Sequence, residues 1–349
     1  MRLSSFKFTL PPKLIASRPA ETRDEARLMV IHKSTGQMEH KYFKDILDYF
    51  HADDTLVLND TRVFPAQLSG IKEHQGAEIK VFLLRELDQE RNLWDTLVDP
   101  ARKIRVGNKL YFGNGELVAE VLDNTTSRGR TLRFLFDGRP TELYDTINRL
   151  GTMPLPPELK RKARAEDRTD YQTVYAQHVG SVIAPAAGLH FTPHLLKRLA
   201  LKGVHTANTT LHISLDMLKA IDVEDLSKYR MGSEPFYIPE EATQIVNTSL
   251  DHGKQVCAVG VSTAKSLESS VSVAGRLKPV QGWTNRFILP PYRCRLCTAL
   301  ITNWHLPESS PLIAAAAFGG YDLIMEAYQV AIKEKYRFFV YGDAMLILP

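Results

Sequence analysis

The pattern of hydrophobic and polar positions is that of an α/β chain interrupted by a β stretch. Residues 55–58 form an unbroken apolar, β-prone run that breaks at Asn59-Asp60-Thr61, which predicts a buried strand running into a polar turn. Residues 77–84 place Ala77, Ile79, Val81 and Leu83 on one face, and short strand-like runs separated by turn residues continue to about residue 136. That stretch reads as an all-β unit. The segment Met153-Pro154-Leu155-Pro156-Pro157 can continue neither a helix nor a central strand, so a boundary lies near it. Beyond it, Thr192-Pro193 is an N-cap and first-turn pair, Leu195, Leu196 and Leu199 share a helical face, and Gly203 stops the helix. In the strand that follows, Thr209, Leu211 and Ile213 alternate with Asn208, Thr210 and His212. The αβα texture goes on with a helix over 240–250, a strand over 256–259 and a helix after Ser262. A helical face at Leu323, Ala327 and Val330 comes next, then an apolar strand over 337–341 ending in Gly342-Asp343. The prediction is a discontinuous main α/β domain, residues 1–62 and 150–349, with residues 63–149 inserted as a β domain.

Composition narrows the class. The 349 residues leave room for two or three domains, and 44% hydrophobic with 24% charged residues excludes a chain disordered by composition. The formal charge of +4 excludes a histone-like wrapping mode and leaves room for a local basic face. No run of about 18 apolar residues predicts a membrane span, and the first residues lack the apolar core of a secretory signal. Three cysteines, Cys257, Cys294 and Cys297, fit a reducing compartment, so the expected location is the cytoplasm.

Five polar clusters sit at the ends of apolar strands, where side chains reach a cleft without disturbing a core. Asn59-Asp60-Thr61-Arg62 offers an amide, a carboxylate and a guanidinium, or simply an Asx-turn. In residues 184–192 small side chains allow close backbone approach, and His190 stands just ahead of a capped helix. Gly260-Val261-Ser262-Thr263, with Lys265 and Glu268, is a strand-to-helix turn whose free amides suit an anionic group. Asn303 and His305 flank Trp304, a ring that either stacks on a base or fills a core. Tyr341-Gly342-Asp343 ends the last run. Cys294 and Cys297 have half the spacing of a zinc site and nothing that completes four ligands, so no metal is expected. The stretch Lys160-Arg161-Lys162-Ala163-Arg164 carries phosphate-compatible charge.

Many motifs together resemble one family, the S-adenosylmethionine:tRNA ribosyltransferase-isomerases of queuosine biosynthesis. They include Asn59-Asp60-Thr61-Arg62-Val63, Met153-Pro154-Leu155-Pro156-Pro157, Tyr171-Gln172-Thr173-Val174-Tyr175-Ala176, Ala187-Gly188-Leu189-His190-Phe191-Thr192, Leu300-Ile301-Thr302-Asn303, His305-Leu306-Pro307 and Tyr341-Gly342-Asp343-Ala344-Met345. The resemblance runs nearly end to end. It implies a barrel-like main α/β domain carrying an inserted small β-barrel. It also implies an enzyme that moves the ribosyl part of S-adenosylmethionine onto the 7-aminomethyl-7-deazaguanine wobble base of tRNA, forming epoxyqueuosine and releasing adenine and methionine. The chain departs from the family pattern at Ala186, over 213–218, at 229–234, where only Met231 and Glu234 of a longer motif remain, and at Lys265, where arginine is usual. These departures leave open a paralogue acting on another nucleoside, or a non-catalytic tRNA-binding descendant.

The resulting expectation is a monomeric cytoplasmic enzyme with no prosthetic group, with S-adenosylmethionine as co-substrate and the tRNA anticodon stem-loop as partner. Asp60, His190 and Asp343 are the expected catalytic groups. Asn59, Arg62, Gly188, His212, Ser262, Thr263, Lys265, Glu268, Asn303 and His305 are the expected substrate contacts. In this scheme Lys265 and the Ser262-Thr263 turn receive the methionine carboxylate, and Arg161, Lys162 and Arg164 touch tRNA phosphates.

Overall fold

Alternation along the central strands sends side chains to two different apolar layers. In a computed structural model, which describes residues 1–73 and 76–349, Leu28, Leu56, Leu58, Cys257, Val259 and Ile301 join one buried cluster. Their neighbours Met29, Val57, Ala258, Leu300 and Met345 join another. A strand covered on both faces needs no polar side, which is why these runs read as continuously apolar.

The sheet has nine strands in the order Val280–Thr284, Glu234–Ile238, His205–Leu211, Thr55–Asn59, Val256–Val259, Ala299–Asn303, Ala344–Leu348, Arg27–His32 and Met38–Tyr42. The four strands from His205–Leu211 to Ala299–Asn303 run parallel, with Val57 opposite both Ala207 and Ala258. Their C-terminal ends therefore share one edge of the molecule.

The fold is α/β, with a discontinuous main part and a β-barrel inserted into it. Six antiparallel strands close the barrel: Gln67–Lys72, Glu78–Asp88, Leu93–Asp99, Lys109–Phe112, Leu117–Asn124 and Gly129–Phe134. Ile79, Val81 and Leu83 point inward, as their spacing predicts. The helix Pro140–Leu150 buries Leu143 and Ile147, and its Tyr144 packs on Trp94 at 5.7 Å between ring centroids.

Two local expectations are corrected. The run 337–341 is not a strand: Phe339 has φ +77°, and the Asp343 carboxylate accepts from the Arg337 amide at 2.7 Å, closing a loop. The last strand is Ala344–Leu348. On the helix Tyr321–Lys333 the buried face is Ile324, Ala327, Tyr328 and Ala331, shifted from Leu323 and Val330. Among the described residues no helix is long and apolar enough to cross a membrane.

Candidate active site

The shared C-terminal edge of the parallel strands brings Asn59, His212, Gly260 and Asn303 to one side. Asn59 is buried and tied to three elements. Its Nδ2 donates to Leu211 O at 3.0 Å and Ser262 Oγ at 3.4 Å, and its Oδ1 accepts from the Leu211 and Thr61 amides. It positions the edge and has no free polar atom for a ligand.

The helix Val261–Ser269 starts at Gly260, whose φ of +96° lets the chain turn directly from strand into helix. Gly260, Val261 and Ser262 at its start line a hollow of about 70 Å³, with Ala184, Ala187, Asn303, His305 and Met217 among its other walls. Only part of the predicted anion pocket stays available to a ligand. Thr263 Oγ1 donates back to Val259 O at 2.7 Å. Lys265 Nζ lies 2.7 Å from Glu234 Oε2, both side chains at most 5% exposed. An ammonium buried in an ion pair cannot receive a methionine carboxylate as well, so that expectation is corrected. Glu268 is likewise framework: it accepts from the Arg295 and Leu296 amides and from Tyr292 Oη.

Asn303 donates both Nδ2 hydrogens, to Phe339 O and Val340 O. Its Oδ1 is thus the acceptor for His190 Nε2 at 2.9 Å, which fixes the proton on Nε2 of that ring. Phe43 lies against His190 at 4.9 Å, and burial lowers the imidazole pKa to about 4. His190 sits behind Asn303 and holds it, away from the walls of the hollow. Burial also lowers His305, whose Nε2 is 2.7 Å from Thr302 Oγ1, to about 3.

Asp60 is buried, and burial raises its pKa above the ordinary carboxylate value, opposed by the hydrogen bond from Thr210 Oγ1 at 2.6 Å. The exposed His178 approaches it at 3.7 Å. The next residue, Thr61, is 2.8 Å from His212 Nδ1, and burial lowers that histidine to about 4. Arg62 is exposed on the same short strand. Asp343 is elsewhere: buried, it accepts from the Arg27 and Arg337 amides and pairs with the Arg337 guanidinium at 3.2 Å. Both its oxygens serve the loop and the neighbouring strand, so Asp343 is corrected from expected catalytic group to structural partner.

Gly188 is required for packing. A Cβ there would lie 2.2 Å from Tyr175 Oη and 2.8 Å from Thr173 Cγ2. Gly188→Ala is expected to cost about 1–3 kcal/mol by overpacking, read as a lower midpoint in urea unfolding with an unchanged slope.

The basic stretch is split. Arg161 is held by both oxygens of Asp167, at 2.6 and 2.7 Å, and is mostly covered, so it is corrected from phosphate contact to internal partner. Lys162 and Arg164 are exposed. Trp304 is in the core among Tyr328, Tyr336 and Phe338. Among the described residues no group of three or more His, Cys, Asp or Glu side chains could hold a metal ion.

A family profile described as "Queuosine biosynthesis protein" matches residues 3–347. The chain belongs to the queuosine biosynthesis protein family. Within it, the chain is similar to the S-adenosylmethionine:tRNA ribosyltransferase-isomerase of Amoebophilus asiaticus, 70% identical over all of both chains. It is also similar to the protein of that name from Cytophaga hutchinsonii, 55% identical with all of both chains covered. Among solved structures it resembles the S-adenosylmethionine tRNA ribosyltransferase of Thermotoga maritima, at 33% identity and a TM-score of 0.56, covering 99% of this chain and 100% of that one.

Sequence reasoning missed His178, which joins Asp60 only through the pairing of His178–Ser181 with Thr61–Val63. It also missed Arg85, Arg128 and Trp283 near the junction of barrel and main sheet, where Arg85 lies 5.1 Å from the Trp283 ring centroid and lines one hollow with Arg128. No motif spans those three positions.

Proposed function

We infer that this protein transfers and isomerises the ribosyl moiety of S-adenosylmethionine onto the 7-aminomethyl-7-deazaguanine wobble base of tRNA, giving epoxyqueuosine with loss of adenine and methionine. The observation that carries this is end-to-end likeness, at 55–70% identity, to relatives that bear the name of that enzyme. With that much of the chain retained, the departures from the family pattern favour neither a changed substrate nor a binding-only role.

The geometry suits the chemistry. The hollow of about 70 Å³ shares Ile213 with a second, larger hollow of about 550 Å³ that reaches His212. A third, of about 290 Å³, lies across Met217 and Leu218. We assign the methionine carboxylate to the amides at the start of the helix Val261–Ser269, beside Ser262. The sulfonium acidifies the carbon–hydrogen bonds next to it, and Asp60 is our choice for the group that takes the proton. Adenine then leaves by elimination, and the aminomethyl nitrogen of the base adds to the unsaturated sulfonium. The carbanion so formed closes the carbocycle on the sugar carbonyl, and the resulting alkoxide displaces methionine from the sulfonium carbon as the epoxide forms. Holding both substrates in one geometry supplies much of the rate. We propose a monomer in a reducing cytoplasm, a compartment that the free thiols of Cys257, Cys294 and Cys297 suit.

Incubation with S-adenosylmethionine and tRNA carrying the aminomethyl-deazaguanine base is expected to release free adenine in step with formation of epoxyqueuosine. Tight tRNA binding with no adenine release would refute the enzyme reading and favour a binding protein.

A further inference from the structure

The tRNA reading leaves open which surface holds the RNA, since Arg161 is committed to Asp167. The seam between the barrel and the main sheet supplies one. Its first hollow, about 550 Å³, lies between the barrel strands Glu78–Asp88 and Leu93–Asp99 on one side and the segment after His212 on the other. A second, about 670 Å³, lies between the same barrel strands and the Pro-rich segment near Met153. Leu97 and Arg128 line both, so the two form one groove along the seam.

Charge in the groove favours a polyanion. Arg85, Arg128 and Lys219 line the first hollow, Lys80 and Lys162 the second. Facing them are Asp95 and Asp216 in the first and Asp99 in the second. Asp216 is paired with Lys219, and Asp95 lies opposite Arg85 in the barrel register. Asp99 lies opposite Lys80 in the same register, and among the described residues the side chains of Arg128 and Lys162 have no carboxylate partner. An exposed guanidinium left without an anion at the junction of two hollows is placed to meet a phosphate.

Beside the first hollow stands an exposed aromatic face. Trp283 is 55% exposed and Tyr237 44%, both on the outward face of the paired strands Glu234–Ile238 and Val280–Thr284. Trp283 pairs in register with Pro235, which lines the first hollow. The Arg85 guanidinium lies 5.1 Å from the Trp283 ring centroid, bridging barrel to sheet. A large exposed ring beside cations is the composition of a single-strand nucleic-acid platform: bases stack on the ring while phosphates meet the charges. Gly180 opens the floor, since a Cβ there would lie within 2.7–2.8 Å of the His212 ring. Through His212 and Thr61 that floor adjoins Asp60.

We propose that the barrel–sheet seam is the binding groove for the single-stranded anticodon loop, with Trp283 as the stacking platform for an unpaired base and Arg128 as a phosphate contact. This rests on the tRNA reading and adds to it the surface used. It assigns the inserted barrel a role as the second wall of an RNA groove.

Fluorescence tests it directly, because Trp94 and Trp304 are buried at 1% and 0% exposure and Trp283 is the exposed tryptophan. The probe is an unmodified anticodon stem-loop RNA with guanine at the wobble position, added to the full chain without S-adenosylmethionine. The RNA is expected to quench Trp283 and to shield it from acrylamide. Trp283→Ala should weaken binding roughly tenfold or more, while Trp283→Phe, which keeps a stacking face, should bind nearly as wild type. Arg128→Ala should weaken binding and lower the salt slope by about one. Wild-type affinity and salt slope in both Trp283→Ala and Arg128→Ala, or unchanged acrylamide access with RNA bound, would overturn the seam. If adenine release with tRNA persists in that case, the reaction stands and the groove is elsewhere. Wild-type protein that neither binds the stem-loop nor releases adenine overturns both.

Discussion

Asp60→Asn is expected to lower turnover by roughly 10²- to 10⁴-fold with little change in fold or RNA affinity. The substitution is close to isosteric, and an amide oxygen can still accept the 2.6 Å hydrogen bond from Thr210 Oγ1. The backbone carbonyl of residue 60 accepts from the Gln177 and His178 amides and does not depend on the side chain. What is lost is proton affinity. Burial raises the Asp60 carboxyl above its ordinary value, which brings it nearer to working pH and makes it a better acceptor than an exposed aspartate. A base must be ionised to act, so kcat/KM should rise with pH through that raised value. Thr210→Val removes a hydrogen bond that favours the ionised form, so the acid limb should move to higher pH. Adenine release under single-turnover conditions, measured across pH, separates these effects from substrate binding. Turnover within roughly threefold of wild type for Asp60→Asn would leave the proton to another group.

Much of this molecule was legible because its signals are local. Thr192 caps the helix Pro193–Leu201 by accepting from the Leu195 amide at 3.0 Å, and Thr55–Asn59 is a strand ending at Asn59, both as their residue types require. The clustering of Asn59, Ser262 and Asn303 at one edge follows from strand ends that look polar in the sequence. What was not legible is which polar groups are already committed. Lys265, Glu268 and Asp343 resemble ligand-binding residues by type and turn position, yet each faces inward to a partner brought in by the tertiary fold. Lys265 is the clearest case. Of the motif at 229–234 the family residues that remain are Met231 and Glu234, and both touch the Lys265 ammonium, at 3.4 Å to Sδ and 2.7 Å to Oε2. Retention of those two alongside a lysine reads as the upkeep of one buried ion pair, visible only once the strand Glu234–Ile238 is laid beside the helix Val261–Ser269. The seam carrying Arg128 and Trp283 was hidden for a similar reason: its two walls come from the insertion and from its host, 155 residues apart in the numbering of those two side chains.

Mild acid should destabilise this fold steeply, and three histidines set the window. His190 and His212 are lowered to about 4 and His305 to about 3, all by burial, against an unfolded value near 6.5. Between those limits the unfolded chain binds protons that the folded chain excludes, so the stability slope with pH is positive. Stability is therefore full above pH 6.5 and falls as pH drops toward 4. Each ring contributes a loss of about 2 kcal/mol by pH 5, and together the three exceed what any single side-chain replacement is expected to remove. Carboxylates with raised values, Asp60, Glu86, Asp95 and Asp170, act with the opposite sign, becoming protonated more readily in the folded chain, and they blunt the fall at its acid end. Urea unfolding at intervals from pH 7.5 to 4.5 should give a free energy that declines with proton uptake on unfolding. His305→Gln keeps a neutral polar side chain beside Thr302 and removes one titrating ring, so its curve should be flatter across the same window. A curve for that variant parallel to wild type would show that His305 titrates in the folded state as it does in the unfolded chain, and its placement as a neutral ring in the wall of the smaller hollow would fail with it.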